Sequence, residues 1–521
     1  MSTSTPQPNF PERGYLNLTK VADETLASWE RDGTFEKSIE TRPSDRPYVF
    51  FEGPPSANGK PGIHHVMART IKDIFCRFRT LRGYRVERKA GWDTHGLPVE
   101  LGVEKELGIT KEDIGVKLTV EEYNEACKKA VMRYTDIWND LTRKMGYWVD
   151  MDEPYVTYEN KYVESVWWLL KQLDEKDLLY KGYTIQPYSP AAGTGLSSHE
   201  LNQPGAYRDV KDTAVVAQFK ALPECSARVL EHAGPEHIKV YGHLPVYFLA
   251  WTTTPWTLPS NTALTVGPEI TYVLVATKNR YTDEPGLVVL AEDLMSKHFG
   301  GNKAPGHELI ARISGADLCG ARYEQLLDWA EPMYGVSEAF RIIPGDFVTT
   351  DDGTGIVHTA PTFGADDARV ASAAGVPAML IDDGTGQGVP LVDLQGRIRA
   401  GVGPLAGRYV KEEYYDESEA PERSVDVEIA IDLKGKGLAF LVEKYEHNYP
   451  HCWRTDKPVL YYPLDSWFIR ATAVKEQMQS RNKTIRWKPT STGSGRFGKW
   501  LENLNDWNLS RSRFWGIPIP I

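Results

Sequence analysis

Two adjacent histidines close a loop that consists mostly of small residues and prolines. Residues 53–62 read GPPSANGKPG, and His64 and His65 follow after one isoleucine. Small residues let backbone N–H groups approach a phosphate, and a helix beginning here adds positive potential. Imidazole N–H groups could then stabilise charge on a transferring phosphate. On this pattern alone a metal site, a phosphate site and an ordinary surface turn all stay open, because glycine-rich loops are common.

A second polar patch follows the next apolar run. Residues 91–98 read GWDTHGLP, and Asp93 in this patch could receive a substrate ammonium group. An isolated aspartate in a loop is more often a turn residue or a helix cap. The patch nevertheless favours a ligand site, because it and the histidine loop each follow a strand of the same predicted sheet.

The elements around the histidine loop predict a parallel α/β unit. The apolar run 48–51 ends at Gly53, which predicts a buried strand followed by a loop. Apolar residues then recur at helical spacing until Gly83, and 84–87 starts another strand. The recurring residues are Ile71, Ile74, Phe75, Phe78 and Leu81. In such a unit the ligand lies beyond the carboxyl end of the first strand, where the histidine loop is.

The predicted type of secondary structure changes twice along the rest of the chain. Thr119 and Glu122 form a capping-box pattern ahead of a helical segment through Met145, and a second helix carries apolar residues from 163 to 173. Short alternating runs separated by Gly and Pro turns then predict a β-rich region from 200 to 425. These runs lie at 214–219, 246–250, 271–276 and 286–290. The helical pattern returns at Val425.

Length and composition limit the classes of protein. A chain of 521 residues predicts two or three domains, one of them inserted in another. No apolar run reaches the roughly 18 residues of a membrane span and no signal pattern stands at the N-terminus, so we expect a cytoplasmic protein that does not enter a membrane. The net charge of −11 argues against indiscriminate nucleic-acid binding, although residues 60–90 carry nine Lys or Arg against two acids and predict a local basic face.

Six motifs together resemble the class I isoleucyl-tRNA synthetases. They stand in the family's order over essentially the whole chain: EGPPSANG, GWDTHGLPVE, WTTTPWTLPSN, GTGIVHTAPTFGADD, YPHCWR and SRSRFWGIPIP. The resemblance implies an α/β fold, with a Rossmann-type parallel-sheet catalytic domain interrupted by a large β-rich, β-barrel-like editing insertion. We expect an N-terminal extension and the first catalytic half in 1–199, the editing domain in 200–425, and the start of the second half in 426–521. The strings GWDTHGLP and WTTTPW disfavour valyl and leucyl relatives.

The resemblance gives the histidine loop its chemistry. The family's first signature, His-x-Gly-His, binds ATP and stabilises the adenylation transition state; here the four residues run from Gly62 to His65. His65 keeps the family's last histidine, whereas Gly62 stands in the first histidine's place and His64 in the glycine's. We infer that His64 supplies the missing imidazole through a shifted backbone, the alternative being a degenerate, slow loop. His64 and His65 are therefore expected to be catalytic, and Asn58, Gly62, His64 and His65 to bind ATP.

The same resemblance implies an isoleucine pocket formed by Gly53, Pro54, Asp93 and Trp515. Asp93 would take the α-ammonium group, while Pro54 and Trp515 would enclose the side chain. Tryptophan is usually a core residue, and only the motif RFWGIP around Trp515 supports a pocket role for it.

There is a physical reason for an inserted editing domain. One missing methylene changes binding by only about 1–3 kcal/mol, a limit for which isoleucine against valine is the standard illustration, so a second hydrolytic site is needed. By resemblance, threonine hydroxyls and an amide would orient a water and the terminal ribose, an aspartate would bind the ammonium group, and a histidine would limit side-chain size. These residues are Thr252, Thr253, Thr254, Asn261, Asp367 and His358. Without the resemblance, a threonine run indicates an ordinary β-strand.

Two segments differ from what the family would lead one to expect. Ser189 and Ala192 stand where many relatives carry Cys-x-x-Cys, and the five cysteines lie far apart, so no zinc or other metal site is expected. The sequence 295–297, MSK, resembles the class's second signature only by chance.

The resemblance also implies substrates and partners. These are isoleucine, ATP as its Mg²⁺ complex, and tRNA(Ile), with a monomer expected. The second signature and the tRNA anticodon-binding region would follow residue 521, so the chain alone is expected to be deficient in adenylate formation while its editing domain could hydrolyse mischarged tRNA. The alternative is an editing-only or non-catalytic tRNA-binding protein.

Overall fold

The computed structural model describes residues 14–51, 53–300, 305–416 and 418–521. The chain divides into two compact units. The first unit comprises the chain up to Lys176 together with Arg513–Ile521, and the second unit comprises Asp177–Ser512.

The first unit contains seven α-helices and two strands among its described residues. The helices are α1 (Leu18–Asp32), α2 (Thr34–Glu40), α3 (Ile63–Leu81), α4 (Leu97–Leu107), α5 (Val120–Val131), α6 (Thr135–Lys144) and α7 (Asn160–Asp174), and the strands are β1 (Lys89–Trp92) and β2 (Asp150–Val156). The two strands pair in parallel, with Trp92 opposite Val156. The fold class α/β follows, and the ends of β1 and β2 bring the loop after each strand to one edge of the pair.

Of the predicted α/β unit around the histidine loop, the helix is confirmed, whereas the two predicted strands at 48–51 and 84–87 are wrong. Helix α3 spans the predicted segment, and Gly83 beyond its end has a φ of +83°, a conformation that favours glycine. Neither the run 48–51 nor the run 84–87 forms a regular strand; an isolated parallel bridge joins Pro47, just before the first run, to Arg85. The chain is therefore extended and parallel there, but the ladder is too short to count as a sheet.

The apolar residues that recur along α3 lie on an exposed face of the helix. Its residues are 45–81% exposed at Ile71, Ile74, Phe75, Phe78 and Leu81. The helix is held instead by its opposite face, where Cys76 and Arg69 are buried. Helical spacing identifies an apolar stripe, but a partner element must be present for that stripe to become core.

The helices after the histidine loop follow the sequence closely. The Thr119 hydroxyl accepts a hydrogen bond from the Glu122 N–H at 3.1 Å, and the Glu122 carboxylate accepts one from the Thr119 N–H at 2.8 Å, so the predicted capping box is confirmed. The predicted segment through Met145 forms two helices, α5 and α6, with a break at 132–134. Helix α7 covers the second predicted helix.

The second unit is built mainly from strands. These are β3 (Leu179–Ser189), β4 (Thr194–Gly195), β5 (Tyr207–Lys220), β6 (Val246–Thr252), β7 (Ala263–Val266), β8 (Thr271–Lys278), β9 (Pro285–Ala291), β10 (Glu308–Ser314), β11 (Arg341–Pro344), β12 (Ile356–Thr359), β13 (Leu380–Asp382), β14 (Gly388–Pro390), β15 (Ala439–Pro450), β16 (Leu460–Ile469) and β17 (Trp507–Asn508). The α-helices are α8 (Ser198–Leu201), α9 (Pro223–Leu230), α10 (Pro235–Tyr241), α11 (Met295–Phe299), α12 (Gly315–Leu318), α13 (Ala365–Ala374), α14 (Val425–Gly435), α15 (Lys475–Asn482), α16 (Thr490–Ser494) and α17 (Arg496–Glu502).

A nine-stranded mixed sheet dominates this unit. Its strands run in the order β10, β8, β9, β6, β12, β7 and β11, and β5 joins β6 to β15. All four predicted strand runs between 214 and 290 lie within β5, β6, β8 and β9, so those predictions are confirmed. The sheet covers a core of fully buried side chains such as Phe219, Phe248 and Leu264, because both faces of its central strands are apolar.

The return of helix at Val425 is confirmed by α14, which Ser424 caps by accepting a hydrogen bond from the Val427 N–H. Strand β15, which follows, pairs with β5 along eleven residue positions. A separate antiparallel sheet has the order β17, β16, β3 and β4. The domain boundaries expected at 199/200 and 425/426 stay predictions.

Candidate functional site

The histidine loop leads directly into helix α3. Gly62 is the N-cap residue, so His64 and His65 lie in the first turn. The His65 N–H already donates to the Gly62 carbonyl at 3.0 Å, so the first-turn N–H groups left for an anionic acceptor are those of Ile63 and His64. Asn58, four residues earlier, is exposed in the same loop. The four residues predicted to bind ATP are therefore brought together by one loop and one helix end.

His65 is fixed in one tautomer. Its Nδ1 accepts a hydrogen bond from the Gly62 N–H at 2.9 Å, so a neutral ring carries its proton on Nε2. The ring also meets Trp138 of α6 edge to face, with 4.8 Å between centroids, and the Trp138 N–H donates to the Gly59 carbonyl at 2.8 Å. Desolvation, reinforced by His64, lowers the pKa of His65 and favours the neutral form. The neutral His65 ring therefore presents an Nε2–H donor on the side away from the N-cap.

The His64 ring lies against Gly62. A Cβ atom at position 62 would come within 2.9 Å of His64 Cε1, and the two histidine rings lie 3.8 Å apart at their centroids. The exposed His64 imidazole thus occupies space beside the position where the family has its first histidine. This supports the inference that His64 supplies the missing ring, which stays a prediction.

The residues predicted for isoleucine lie around the ends of β1 and β2. The Asp93 N–H donates to the Pro55 carbonyl at 2.9 Å, which joins the patch after β1 to the histidine loop. Desolvation raises the pKa of the Asp93 carboxyl, and a hydrogen bond from the His95 backbone lowers it by less. Pro54 is half-buried, and Gly53 is exposed in open space.

Trp515 reaches the same patch from the far end of the sequence. Its indole N–H donates to the Thr94 carbonyl at 2.6 Å, and its ring meets His95 at 5.2 Å between centroids. Trp515 is only 9% exposed, so it is a core residue that also contacts the polar patch of residues 91–98. Because 421 residues separate Thr94 from Trp515, no local sequence pattern could indicate this contact.

A buried ionic group that the sequence did not indicate holds Trp515 in place. Arg513 lies 3.2 Å from the Glu100 carboxylate and also pairs with Glu104. The same Glu100 carboxylate accepts the Trp515 N–H at 3.0 Å. Glu100 is 1% exposed, and an acid this deeply buried requires such partners. Glu100 and Arg513 both lie within motifs of the sequence, GWDTHGLPVE and SRSRFWGIPIP, but neither motif indicates that the two side chains pair.

The second unit contains a cavity of about 410 Å³ between neighbouring strands β6 and β12. Five of the six residues predicted for editing line it: Thr252, Thr253, Thr254, His358 and Asp367. Thr252 ends β6, His358 lies in β12, and Asp367 lies in the first turn of α13. The pairing of Trp251 with Val357 brings the two strand ends together. Asn261 does not line the cavity and is buried behind His358.

The ring of His358 is held from both sides. The Asn261 amide donates to Nδ1 at 2.9 Å, and Nε2 lies 3.1 Å from the Thr257 hydroxyl. The Asn261 orientation is fixed because its N–H group also donates to the Ala263 carbonyl while its oxygen accepts from the Tyr323 hydroxyl at 2.7 Å. Burial lowers the pKa of His358 to about 3, so the ring is neutral with its proton on Nε2. Tyr323 and Thr257 carried no sequence signal for this role.

Asp367 accepts hydrogen bonds from backbone N–H groups, but its environment is unfavourable for its charge. Its carboxylate accepts the Ala360 N–H at 2.8 Å, and burial raises its pKa to about 6. The close approach requires glycine at 364, where a Cβ atom would lie 2.6 Å from the Asp367 carboxyl carbon. A carboxylate ionised at neutral pH but incompletely paired is well suited to bind an ammonium group.

The threonine hydroxyls form a connected strip. The Thr252 and Thr254 hydroxyls lie 3.3 Å apart, and the Thr254 and Thr257 hydroxyls 3.4 Å apart. Thr257 donates to the Thr254 carbonyl at 2.8 Å, which fixes the direction of its O–H. Such a strip offers several donors and acceptors for a water molecule and a sugar hydroxyl.

Metal ligands do not cluster anywhere in the described ranges, where no group of three or more His, Cys, Asp or Glu residues has metal-binding geometry. At the positions where relatives carry cysteines, the Ser189 hydroxyl accepts the Ala192 N–H at 3.2 Å. The sequence 295–297 lies in the short helix α11 of the second unit, where Lys297 pairs with Asp352. Within the described chain, none of the helices is both long and apolar enough to span a bilayer.

At least three of the nine cations in the predicted basic face of residues 60–90 have partners inside the first unit. Arg77 and Arg88 both pair with Asp73, at 2.5 and 3.1 Å, and Arg69 is buried with its guanidinium donating to the Thr142 hydroxyl. These three cations are therefore engaged within the unit, whereas Lys60, Arg82 and Lys89 are exposed, and the local basic face stays a prediction.

Comparison with known proteins agrees with the motifs. The family model described as tRNA synthetases class I (I, L, M and V) matches residues 24–521. Proteins named isoleucine–tRNA ligase from Bacteroides fragilis, Cytophaga hutchinsonii and Clostridium tetani are 58%, 59% and 43% identical, over 98%, 97% and 98% of this chain. The chain spans only 46%, 46% and 44% of the length of these three relatives.

Proposed function

Because the chain belongs to the class I tRNA synthetases of the I, L, M and V group, we propose that it supplies amino-acid activation and editing residues of an isoleucine–tRNA ligase. The relatives that carry this name align with nearly the whole chain. The observation that carries the proposal is the cavity of the second unit, in which an incompletely paired carboxylate, a neutral histidine and a strip of threonine hydroxyls face one space. An aminoacyl ester presents the matching groups, an ammonium, a side chain and a ribose.

The activation step takes place at the histidine loop. The isoleucine carboxylate attacks the α-phosphorus of ATP, which enters as its Mg²⁺ complex, and pyrophosphate leaves as the aminoacyl-adenylate forms. The His65 Nε2–H and the first N–H groups of α3 stabilise the charge on the reacting phosphate. Asp93 binds the α-ammonium group, and Trp515 with Pro54 encloses the side chain.

The editing step takes place in the cavity of the second unit. Water attacks the ester carbonyl of valyl-tRNA(Ile), the bond to the ribose oxygen breaks, and that oxygen takes a proton as valine leaves. Asp367 binds the valine ammonium, and the threonine strip orients the water and the ribose. The His358 ring, fixed by Asn261 and Thr257, limits the side chain that can enter.

The experiment compares the two chemistries on the chain of 521 residues. With tRNA(Ile) mischarged with valine, we expect hydrolysis that is faster than for isoleucyl-tRNA(Ile). No hydrolysis of either ester, or equal rates for both, would contradict the editing proposal. A His358→Ala variant should hydrolyse both esters at similar rates, because the wall that limits side-chain size is removed.

Isoleucine-dependent exchange of labelled pyrophosphate into ATP measures the activation step. We expect poor exchange, because the chain spans under half the length of its relatives. Robust exchange would show that the residues present suffice for activation and would contradict the expected deficiency. The editing-only alternative also requires hydrolysis without exchange. Exchange measured on a full-length relative that carries the same histidine loop separates this alternative from the proposed ligase.

A further inference from the structure

Residues 477–501 of the second unit, here called the basic segment, contain no acid. Their cations are Arg481, Lys483, Arg486, Lys488, Arg496 and Lys499, in a chain whose net charge is −11. Lys499 pairs with Glu502 at 2.7 Å. The other five form no ion pair with any carboxylate in the part of the chain that the structure describes, and all five are exposed. Unpaired exposed cations at this density attract a polyanion.

Aromatic rings are interleaved with these cations. The Trp487 and Phe497 rings lie 4.9 Å apart at their centroids, and the Phe497 and Trp500 rings 5.4 Å apart. Trp500 is 52% exposed although its ring packs on Phe497. The Trp487 N–H donates to the Asn482 side-chain oxygen at 2.8 Å, which fixes the inner end of the row. An exposed ring with a fixed neighbour can stack on a base without a large loss of side-chain freedom.

Residues of the basic segment, among them Lys483, Arg486 and Trp487, line a cavity of about 620 Å³ together with Glu502, the acid that pairs with Lys499. This volume falls within the roughly 300–1,000 Å³ that is typical of small-ligand sites. Its wall is close-packed at Gly493, where a Cβ atom would lie 2.1 Å from the Trp487 ring. The Asn482 amide donates to the Gly493 carbonyl at 2.9 Å and closes the turn.

We propose that the basic segment binds single-stranded RNA. A base stacks on Trp500, and Lys483 and Arg486 contact the flanking phosphates. Unpaired nucleotides fit this surface better than a duplex, because stacking on a side chain needs a base face that pairing and stacking in a helix conceal. The inference rests on the proposed function for the identity of its RNA, which is then the unpaired 3′ end of the tRNA.

The test measures binding of the full chain to a labelled RNA hairpin with an unpaired 3′ end and to the same hairpin with a blunt end, by fluorescence anisotropy over a range of salt. The unpaired end should bind more tightly. Trp500→Ala should weaken that binding by roughly 5- to 150-fold, the loss expected for one stacked base, and leave the blunt hairpin unchanged. Trp500→Phe should restore most of the affinity.

Lys483→Gln combined with Arg486→Gln should lower the salt dependence, by roughly 0.7 in the slope of log K against log salt for each phosphate that is no longer neutralised. The matched control is Lys239→Gln with Lys278→Gln, which removes the same charge from exposed positions elsewhere in the second unit and should change affinity less than about twofold. Thermal unfolding of each variant checks that the fold is intact.

Three results would overturn the inference: equal losses for the charge variants and their control, equal losses of Trp500→Ala on unpaired and blunt ends, or full displacement of the RNA by ATP. Hydrolysis of valyl-tRNA(Ile) by the same preparations separates the two proposals. If the wild-type chain hydrolyses the ester but the variants bind RNA normally, only the basic segment is excluded. If the chain neither hydrolyses the ester nor binds the hairpin, both proposals fail.

Discussion

Asp367→Asn is expected to stabilise the protein at neutral pH while it weakens editing. Burial raises the pKa of the folded carboxyl from the ordinary value of 3.8 to about 6, so its ionisation is disfavoured in the fold. A carboxyl whose folded pKa is raised contributes stability that is present below pH 3.8 and lost as the pH rises through 6. Asparagine stays neutral and can still accept the Ala360 N–H, so it avoids this loss.

The magnitude follows from the pKa difference. A difference between 3.8 and about 6 corresponds to roughly 3 kcal/mol when the group is fully ionised. Asp367 keeps some solvent contact, so the expected gain in the free energy of unfolding at pH 8 is about 1–3 kcal/mol, and near pH 4 it should be close to zero. The gain should develop between these two pH values.

The assay is urea unfolding of the wild type and the variant from pH 4.5 to 8, with Asp366→Asn as the matched control. Asp366 is the neighbouring residue on α13, is exposed, and pairs with Arg369 at 3.3 Å. Its replacement should change the free energy of unfolding by less than about 1 kcal/mol at any pH. A gain for Asp367→Asn that is independent of pH, or no larger than that of the control, would refute the reasoning.

The same variant tests the role of the carboxylate in binding. Loss of a charge-assisted hydrogen bond to the ammonium group is worth about 1.5–3 kcal/mol, so hydrolysis of valyl-tRNA(Ile) should fall by roughly 10- to 150-fold. In the wild type, hydrolysis should rise with pH through about 6 as Asp367 ionises. A wild-type profile that is flat between pH 5 and 7, or undiminished activity in the variant, would show that Asp367 does not bind the ammonium group.

Three further changes test the remaining geometry. Tyr323→Phe leaves the Asn261 oxygen buried without its donor and should lower the free energy of unfolding by about 1–3 kcal/mol in urea unfolding; an unchanged value would mean that the amide finds another partner. Arg513→Met leaves two buried glutamates unpaired and should destabilise the first unit by about 3–5 kcal/mol at pH 7, with much of the loss recovered at pH 4, as followed by thermal unfolding. Gly62→Ala should displace the exposed His64 ring with less than about 0.5 kcal/mol change in stability, which NMR of the histidine C–H groups would detect; an unmoved ring would contradict the close approach.

Much of the architecture could be read from the sequence because it depends on local patterns. The capping box at Thr119, helix α7 and the strands between 214 and 290 follow from spacing that a short window contains. The face of α3 shows the limit of that reasoning. The spacing identified the apolar stripe, but whether a stripe is buried depends on a partner element and not on the helix itself.

The candidate sites divide in the same way. The motifs indicated the threonine strip, His358 and Asp367, and the cavity between β6 and β12 brings them together. They could not indicate that Asn261 lies behind the histidine, because its orientation depends on Tyr323, 62 residues away. The motifs contain Glu100 and Arg513, but they could not indicate that these two residues pair, because they lie far apart in the chain.

The sequence by itself determined the family, the order of the elements and the types of side chain at each site, since these are properties of residues and their spacing. The tertiary structure alone decided which atoms carry protons and which charges are costly. His65 takes its tautomer from one hydrogen bond, His358 takes its own from partners on both ring nitrogens, and Asp367 takes its raised pKa from burial. Protonation depends on desolvation and on partners from distant segments, and a linear sequence contains neither.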